Sequence, residues 1–176
     1  NFLTISRIFI GPVIFICLNF TEAYFFALFC FVFASISDFL DGFLARKYSL
    51  TSQMGEILDP IADKILVLFS LFALALHLES TYIGLVGCFI LTREFWVAAL
   101  RDLNSRNRNI SATKVTFMAK IKTTAQLCAI GSYFFGILLG NALIIFVSDF
   151  ILMLAFFITI QTGLQYTLDT YKQTSI

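Results

Sequence analysis

The stretch Ser37–Lys64, SDFLDGFLARKYSLTSQMGEILDPIADK, places Asp38, Asp41, Asp59 and Asp63 inside a chain otherwise rich in phenylalanine, leucine and isoleucine. Asp38 and Asp41 are three residues apart and Asp59 and Asp63 are four apart, so on helices each pair shares a face. A short turn through Tyr48–Met54 sets the two helix ends side by side, and the four carboxylates then converge on one spot. That arrangement makes sense only once the surroundings are known.

The chain has 176 residues, 59% hydrophobic and 13% charged, with a mean hydropathy of +0.90. Soluble domains carry about half apolar and about a quarter charged residues. The balance indicates an integral membrane protein, and no polar segment is long enough for a second domain, so residues 1–176 read as a single transmembrane domain. A bilayer core of about 30 Å needs a helix of about 20 residues. Candidate spans are Thr4–Phe20, Ala23–Ala45, Glu56–Leu78, Tyr82–Leu103, Thr116–Leu139 and Ala142–Thr167. Runs such as YFFALFCFVFASI do not alternate apolar and polar residues as barrel strands do. The fold class expected is therefore all-α with six transmembrane helices.

Six spans put Arg7, Arg46, Lys47, Lys64, Arg101, Arg106, Arg108, Lys114, Lys120, Lys122 and Lys172 on one side. The loops near Thr21, Ser80 and Asn141, on the other side, hold Glu22 and Glu79 but no lysine or arginine. The positive-inside rule places both termini in the cytoplasm. The basic 4–5 connection, NSRNRNISATKV, reads either as a solvated inside loop or as a surface that attracts anionic head groups. Cys17, Cys30, Cys88 and Cys128 sit singly in apolar runs and read as packing residues rather than metal ligands.

Four carboxylates at a membrane boundary repel one another, and intramembrane charges usually mark a functional cavity. Divalent cations would neutralise them: hard ions such as Mg²⁺ prefer carboxylate oxygens and often carry substrate phosphates. Two such ions clamp the attacking and leaving oxygens of a displacement at phosphorus. Gly42 and Ala45 follow Asp38 on roughly the same face and leave room for a bulky ligand, Arg46 can grip a phosphate with two donors, and Gly55 opens the turn into the next carboxylate helix. Close helix packing is the alternative use of these small residues.

The pattern Asp38-x2-Asp41-Gly42-x2-Ala45-Arg46-x8-Gly55-x3-Asp59-x3-Asp63 resembles the signature of the CDP-alcohol phosphatidyltransferase family. The resemblance implies a membrane-embedded homodimer with a two-metal site (Mg²⁺, or Mn²⁺) held by Asp38, Asp41, Asp59 and Asp63. It implies transfer of a phosphatidyl group from CDP-diacylglycerol to an alcohol with release of CMP, and Asp63 as general base. Asp41, Gly42, Ala45, Arg46 and Gly55 would meet the CDP-diacylglycerol, as would Asn1 and Thr4 of NFLTISR. A lipid bilayer and small substrates are the expected partners, nucleic acid is not, and a bacterial inner membrane is the expected location.

Arg93 lies about ten residues, roughly 12–15 Å, from the cytoplasmic end of the fourth span, where an arginine is costly unless it faces a cavity. Arg101 follows two turns later, and Lys120 and Lys122 begin the fifth span. Such cations suit an anionic acceptor. Alternatively Arg93 pairs with an aspartate, or Glu94 with a lysine, to hold helices together. TREFWVAALRDL and AKIKTTAQ resemble the branch of the family that uses sn-glycerol 3-phosphate and makes phosphatidylglycerophosphate, with Arg93, Arg101 and Lys120 implied at the acceptor's phosphate. Ala119 departs from that branch, which often has glycine there. Phosphatidylglycerol as acceptor, and a divalent-cation transporter from a different class, are the competing readings. Midplane broken helices typical of transport sites do not fit carboxylates gathered at one boundary. His77 is too far along the third span to join the site, Trp96 reads as packing, and Asp149 has no evident role. Gly136 and Gly140 form a GxxxG pattern that could serve a dimer face.

Overall fold

The computed structural model describes residues 2–48, 53–106 and 117–174, and side chains for 4–37, 58–105 and 121–172. The described residues form six helices: α1 (Phe2–Asn19), α2 (Tyr24–Tyr48), α3 (Gln53–His77), α4 (Thr81–Arg106), α5 (Phe117–Leu139) and α6 (Ala142–Thr174). Most ends lie within three residues of those expected from the apolar runs. The exception is α6, which continues seven residues past Thr167 to Thr174. Its last turns are polar on one face, and that face packs against α4 instead of ending the helix.

Among the described residues, Leu58–His77, Thr81–Ser105 and Ala142–Lys172 are long and apolar enough to cross a membrane, and Thr4–Asn19 and Tyr24–Ser37 are shorter apolar segments. Large apolar side chains such as Phe9, Phe25, Phe29, Phe146, Phe150 and Phe157 point outward. Outward-facing apolar residues in such density suit lipid, not water. The chain is thus an all-helical membrane protein.

The three turns on the cation-poor side are tight. Glu79 and Gly140 take φ of 48° and 60°, and each ends its helix in a Schellman motif: Ser80 N–H donates to Ala75 O at 2.9 Å, and Asn141 N–H to Gly136 O at 3.0 Å. Glu22, with φ of 52°, precedes Ala23, whose N–H donates to Cys17 O at 2.9 Å.

α1 packs on α2 and α3, α3 on α4, α4 on α6, α6 on α5, and α5 on α2. The six helices therefore close into a ring, with α3 meeting α5 across its middle. Small residues allow the close approaches. Ala27, Ala34, Ala73, Ala129 and Ala155 are fully buried, and a side chain at Gly11 would meet Phe69 Cβ at 3.3 Å. Between them Ile14, Leu18, Phe31, Leu71, Leu74, Ile90, Ile130, Phe134 and Leu152 fill the interior. Pro12 and Pro60 lie inside α1 and α3, where each removes one backbone hydrogen bond without ending its helix.

Both GxxxG glycines have a role within the chain. A Cβ at Gly136 would come within 3.0 Å of Ile145 Cγ1, so Gly136 lies in the α5–α6 hairpin, and Gly140 makes the turn. Asp149 also has a structural place: its carboxylate accepts from the buried Tyr133 hydroxyl, and its backbone carbonyl accepts from Tyr82 at 2.9 Å. The cysteines are free, Cys17 and Cys30 buried and Cys88 and Cys128 exposed. Trp96 is half-exposed and donates from Nε1 to Thr167 Oγ1 at 3.0 Å, and His77 stacks edge-on against Tyr24 far from the aspartates.

Candidate active site

Asp59 and Asp63 occupy one face of α3, one helical turn apart, and each side chain is half-exposed. Each carboxylate has a partner on α1. Thr4 of α1 donates its hydroxyl to Asp59 Oδ1 at 2.7 Å. Arg7, three residues further along α1, is completely buried. Its Nη1 donates to Asp63 Oδ1 at 2.5 Å, and its Nη2 lies 3.5 Å from Asp59 Oδ1. The i, i+3 pair on α1 thus meets the i, i+4 pair on α3. A guanidinium with no water around it is stable only with carboxylates this close. The sequence places Arg7 merely among the inside cations; the structure gives it to Asp59 and Asp63 as a shared partner.

Asp63 also lines a cavity of about 420 Å³ between α3, α4 and α5, walled by Pro60, Lys64, Val67, Leu91, Arg93, Glu94, Val97, Ala98, Arg101, Lys122, Thr123 and Gln126. Small-molecule sites are usually about 300–1,000 Å³. Four cations, Lys64, Arg93, Arg101 and Lys122, face two carboxylates, Asp63 and Glu94, so the excess positive charge suits an anion.

Arg93 is nearly buried. Its Nη2 donates to Thr162 Oγ1 of α6 at 2.6 Å, and its Nη1 to Glu94 Oε1 at 3.3 Å. The same Glu94 oxygen accepts from Lys122 Nζ. Glu94 does pair with a lysine across helices, as one alternative held, yet the pair sits in the cavity wall rather than away from it. Arg101 Nη2 donates to the Tyr166 hydroxyl at 3.1 Å, and its Cζ lies 5.0 Å from that ring's centre. Lys64 Nζ lies 5.3 Å from the Phe95 ring centre, a distance typical of a cation–π contact.

Of the predicted site residues, Thr4, Asp59 and Asp63 come together, and Asp63, Arg93 and Arg101 share the cavity. Asp38, Asp41, Gly42, Ala45 and Arg46 lie on α2, Gly55 on α3 and Lys120 on α5. Their side chains, and Asn1 altogether, lie outside the described residues. Sequence reasoning missed Arg7 as a partner of the aspartates and the α6 residues that hold the two arginines; it had Lys122 among the cavity's cations and Glu94 beside a lysine only as an alternative. The cost of an unpaired arginine in a membrane is a signal that calls for a partner to Arg7, but does not say which one.

The CDP-alcohol phosphatidyltransferase family model matches residues 1–163. The chain is 38% identical over 170 residues to a protein of Rickettsia bellii named CDP-diacylglycerol–glycerol-3-phosphate 3-phosphatidyltransferase, covering 94% of this chain and 91% of the relative. A Rickettsia typhi protein of the same name is 38% identical over 171 residues, covering 94% and 93%. One from Haemophilus influenzae is 36% identical over 132 residues, covering 74% and 71%. With the aspartate pair, the cation-walled cavity and these likenesses together, the chain belongs to the CDP-alcohol phosphatidyltransferase family.

Proposed function

We propose that this protein transfers the phosphatidyl group of CDP-diacylglycerol to sn-glycerol 3-phosphate, giving phosphatidylglycerophosphate and CMP. The observation that carries this reading is that Asp63, Arg93 and Arg101 line one cavity. A proton acceptor and anion-binding guanidiniums in one space suit an acceptor that is both an alcohol and a phosphate. Its relatives' names support the same acceptor.

Asp59 and Asp63 fit a hard divalent cation: they offer only carboxylate oxygens, one turn apart and half-exposed. Asp38 and Asp41 of α2 would join them, and Arg7 and Thr4 hold the α3 pair in orientation. Two Mg²⁺ ions, or Mn²⁺, in that set would neutralise the diphosphate of the donor when bound. Asp41, Gly42, Ala45, Arg46 and Gly55, with Asn1 and Thr4, would meet the nucleotide and diphosphate. Arg93, Arg101 and Lys120 would hold the acceptor's phosphate. Asp63 takes the proton of the primary hydroxyl as its oxygen bonds to the β-phosphorus. The bond from that phosphorus to the CMP oxygen breaks, and CMP leaves toward water while the acyl chains remain in lipid.

The same reading gives six spans with both termini and the site in the cytoplasm of a bacterial inner membrane, supported by the cation-free turns near Glu22, Glu79 and Gly140. A homodimer is carried over from the family resemblance.

The test is Asp63→Asn in the purified protein, with CMP release followed while Mg²⁺ is removed by chelator and restored. The reading predicts loss of about 10³-fold or more in turnover for the variant, at the upper end of what an acid–base group contributes and with a metal ligand lost as well. It predicts reversible dependence on Mg²⁺ or Mn²⁺ for the parent. A fully active Asp63→Asn, or turnover indifferent to chelation, would contradict it.

A further inference from the structure

Arg93 and Arg101 are long side chains with many rotamers, and the groups that fix them lie chiefly on α6, outside the cavity wall. We infer that Thr162, Gly163 and Tyr166 form a positioning stripe that aims both guanidiniums at the acceptor's phosphate and thereby sets the affinity for the anionic acceptor. The inference rests on the acceptor reading above and deepens it.

Three contacts carry the argument. Thr162 is almost wholly buried. Its own hydroxyl faces backbone acceptors, Ile158 O at 2.8 Å and Thr159 O at 3.0 Å. That commits its proton and leaves a lone pair for Arg93 Nη2 at 2.6 Å. Gly163 follows directly. A Cβ there would lie 2.9 Å from Arg93 Cγ and 3.0 Å from Nε, so only glycine lets the arginine stem lie flat on α6. Tyr166 is buried one turn later and offers Arg101 both its hydroxyl, at 3.1 Å from Nη2, and its ring face.

The geometry also draws the two heads together. On α4 the arginines are rooted eight residues apart, roughly 12 Å, whereas Thr162 and Tyr166 are rooted four apart, roughly 6 Å. Side chains tied from wide roots to close anchors lean toward one another, the disposition two donors need to share one phosphate. Asn104 of α4 donates to Thr170 of α6 at 2.8 Å and continues the seam, but neither residue lines the cavity. Helix cohesion alone would not need the ties at the two cavity arginines to be a committed lone pair, a glycine and a tyrosine.

The test is steady-state kinetics on full-length detergent-purified Thr162→Val, Gly163→Ala and Tyr166→Phe, varying glycerol 3-phosphate and CDP-diacylglycerol separately. Losing a hydrogen bond to a charged group should raise KM for glycerol 3-phosphate roughly ten- to a hundredfold. The value of kcat and the KM for CDP-diacylglycerol should move less than about twofold, the signature of a lost acceptor contact. Leu164→Ala, on the exposed side of the same turn, should change none of these. Glycerol 3-phosphate should also stabilise the parent against heat more than it stabilises the variants. Tyr166→Phe and Thr162→Val keep shape and decide the matter if Gly163→Ala does not fold. Equal loss toward both substrates, or a fall in kcat alone, would show that the stripe only fastens α4 to α6 and would overturn the inference. A parent that neither binds nor uses glycerol 3-phosphate would overturn the acceptor reading and the inference with it, whereas an active parent with unaltered variants would overturn the inference alone.

Discussion

Arg7 shows what a single residue can do in this setting. It brings one buried positive charge to two half-exposed carboxylates, from a helix more than fifty residues away in sequence. A divalent ion at those aspartates would supply the same neutralisation from the solvent side. Arg7→Met should therefore lower the melting temperature more in chelator than in Mg²⁺, because the ion replaces part of the lost charge; melting in both conditions checks this. An equal drop in the two would separate Arg7 from the aspartates' charge balance. At the end opposite the aspartates, Tyr133→Phe removes the hydroxyl that Asp149 accepts from. Loss of one partner of a buried polar pair costs about 1–3 kcal/mol, and the variant should unfold earlier with its KM values unchanged. The aspartates were legible in the sequence because i, i+3 and i, i+4 spacing survives any tertiary arrangement. Arg7 was not, because which inside cation reaches them depends on α1 lying against α3. Nothing local records that packing except Gly11, whose closeness to Phe69 becomes meaningful only in the fold.

Among the elements, helix existence followed from apolar length, while helix ends followed from chemistry at the turns. Glu79 and Gly140 both adopt left-handed backbone, yet only Gly140 does so without steric cost. Gly140→Ala should destabilise the α5–α6 hairpin by about 1 kcal/mol, read as an earlier transition in thermal or SDS unfolding; an unchanged transition would mean the turn relaxes at no cost. The length of α6 escaped the apolar pattern because its last turns carry a polar face. Tyr166 and Thr170 face α4 and bond to Arg101 and Asn104, so a polar face that looks like a helix end is a packed seam. Gly136 was legible as a close-packing glycine but not as to its partner, which is Ile144 and Ile145 of the next helix.

For the whole molecule, the ring of helices explains why a site assembled from α1, α3, α4 and α5 sits at one end of it. α3 carries the carboxylates, α1 closes on one side of them, and α4 and α5 wall the cavity on the other. Charge distribution along the chain foreshadowed which end this is, since the turns at 20–23, 78–80 and 140–141, all at the opposite end, hold no lysine or arginine. In a cysteine-free background, a single cysteine at Ser80 or Asn141 should react with an impermeant maleimide from outside intact cells; protection there with reaction only after lysis would invert the orientation. The central claim concerns the acceptor, and one measurement reaches it directly: purified protein in detergent or vesicles with CDP-diacylglycerol, Mg²⁺ and radiolabelled glycerol 3-phosphate. The account predicts label entering the lipid phase in step with CMP release, dependent on both CDP-diacylglycerol and metal. CMP release with phosphatidylglycerol or inositol but no label in lipid would contradict it.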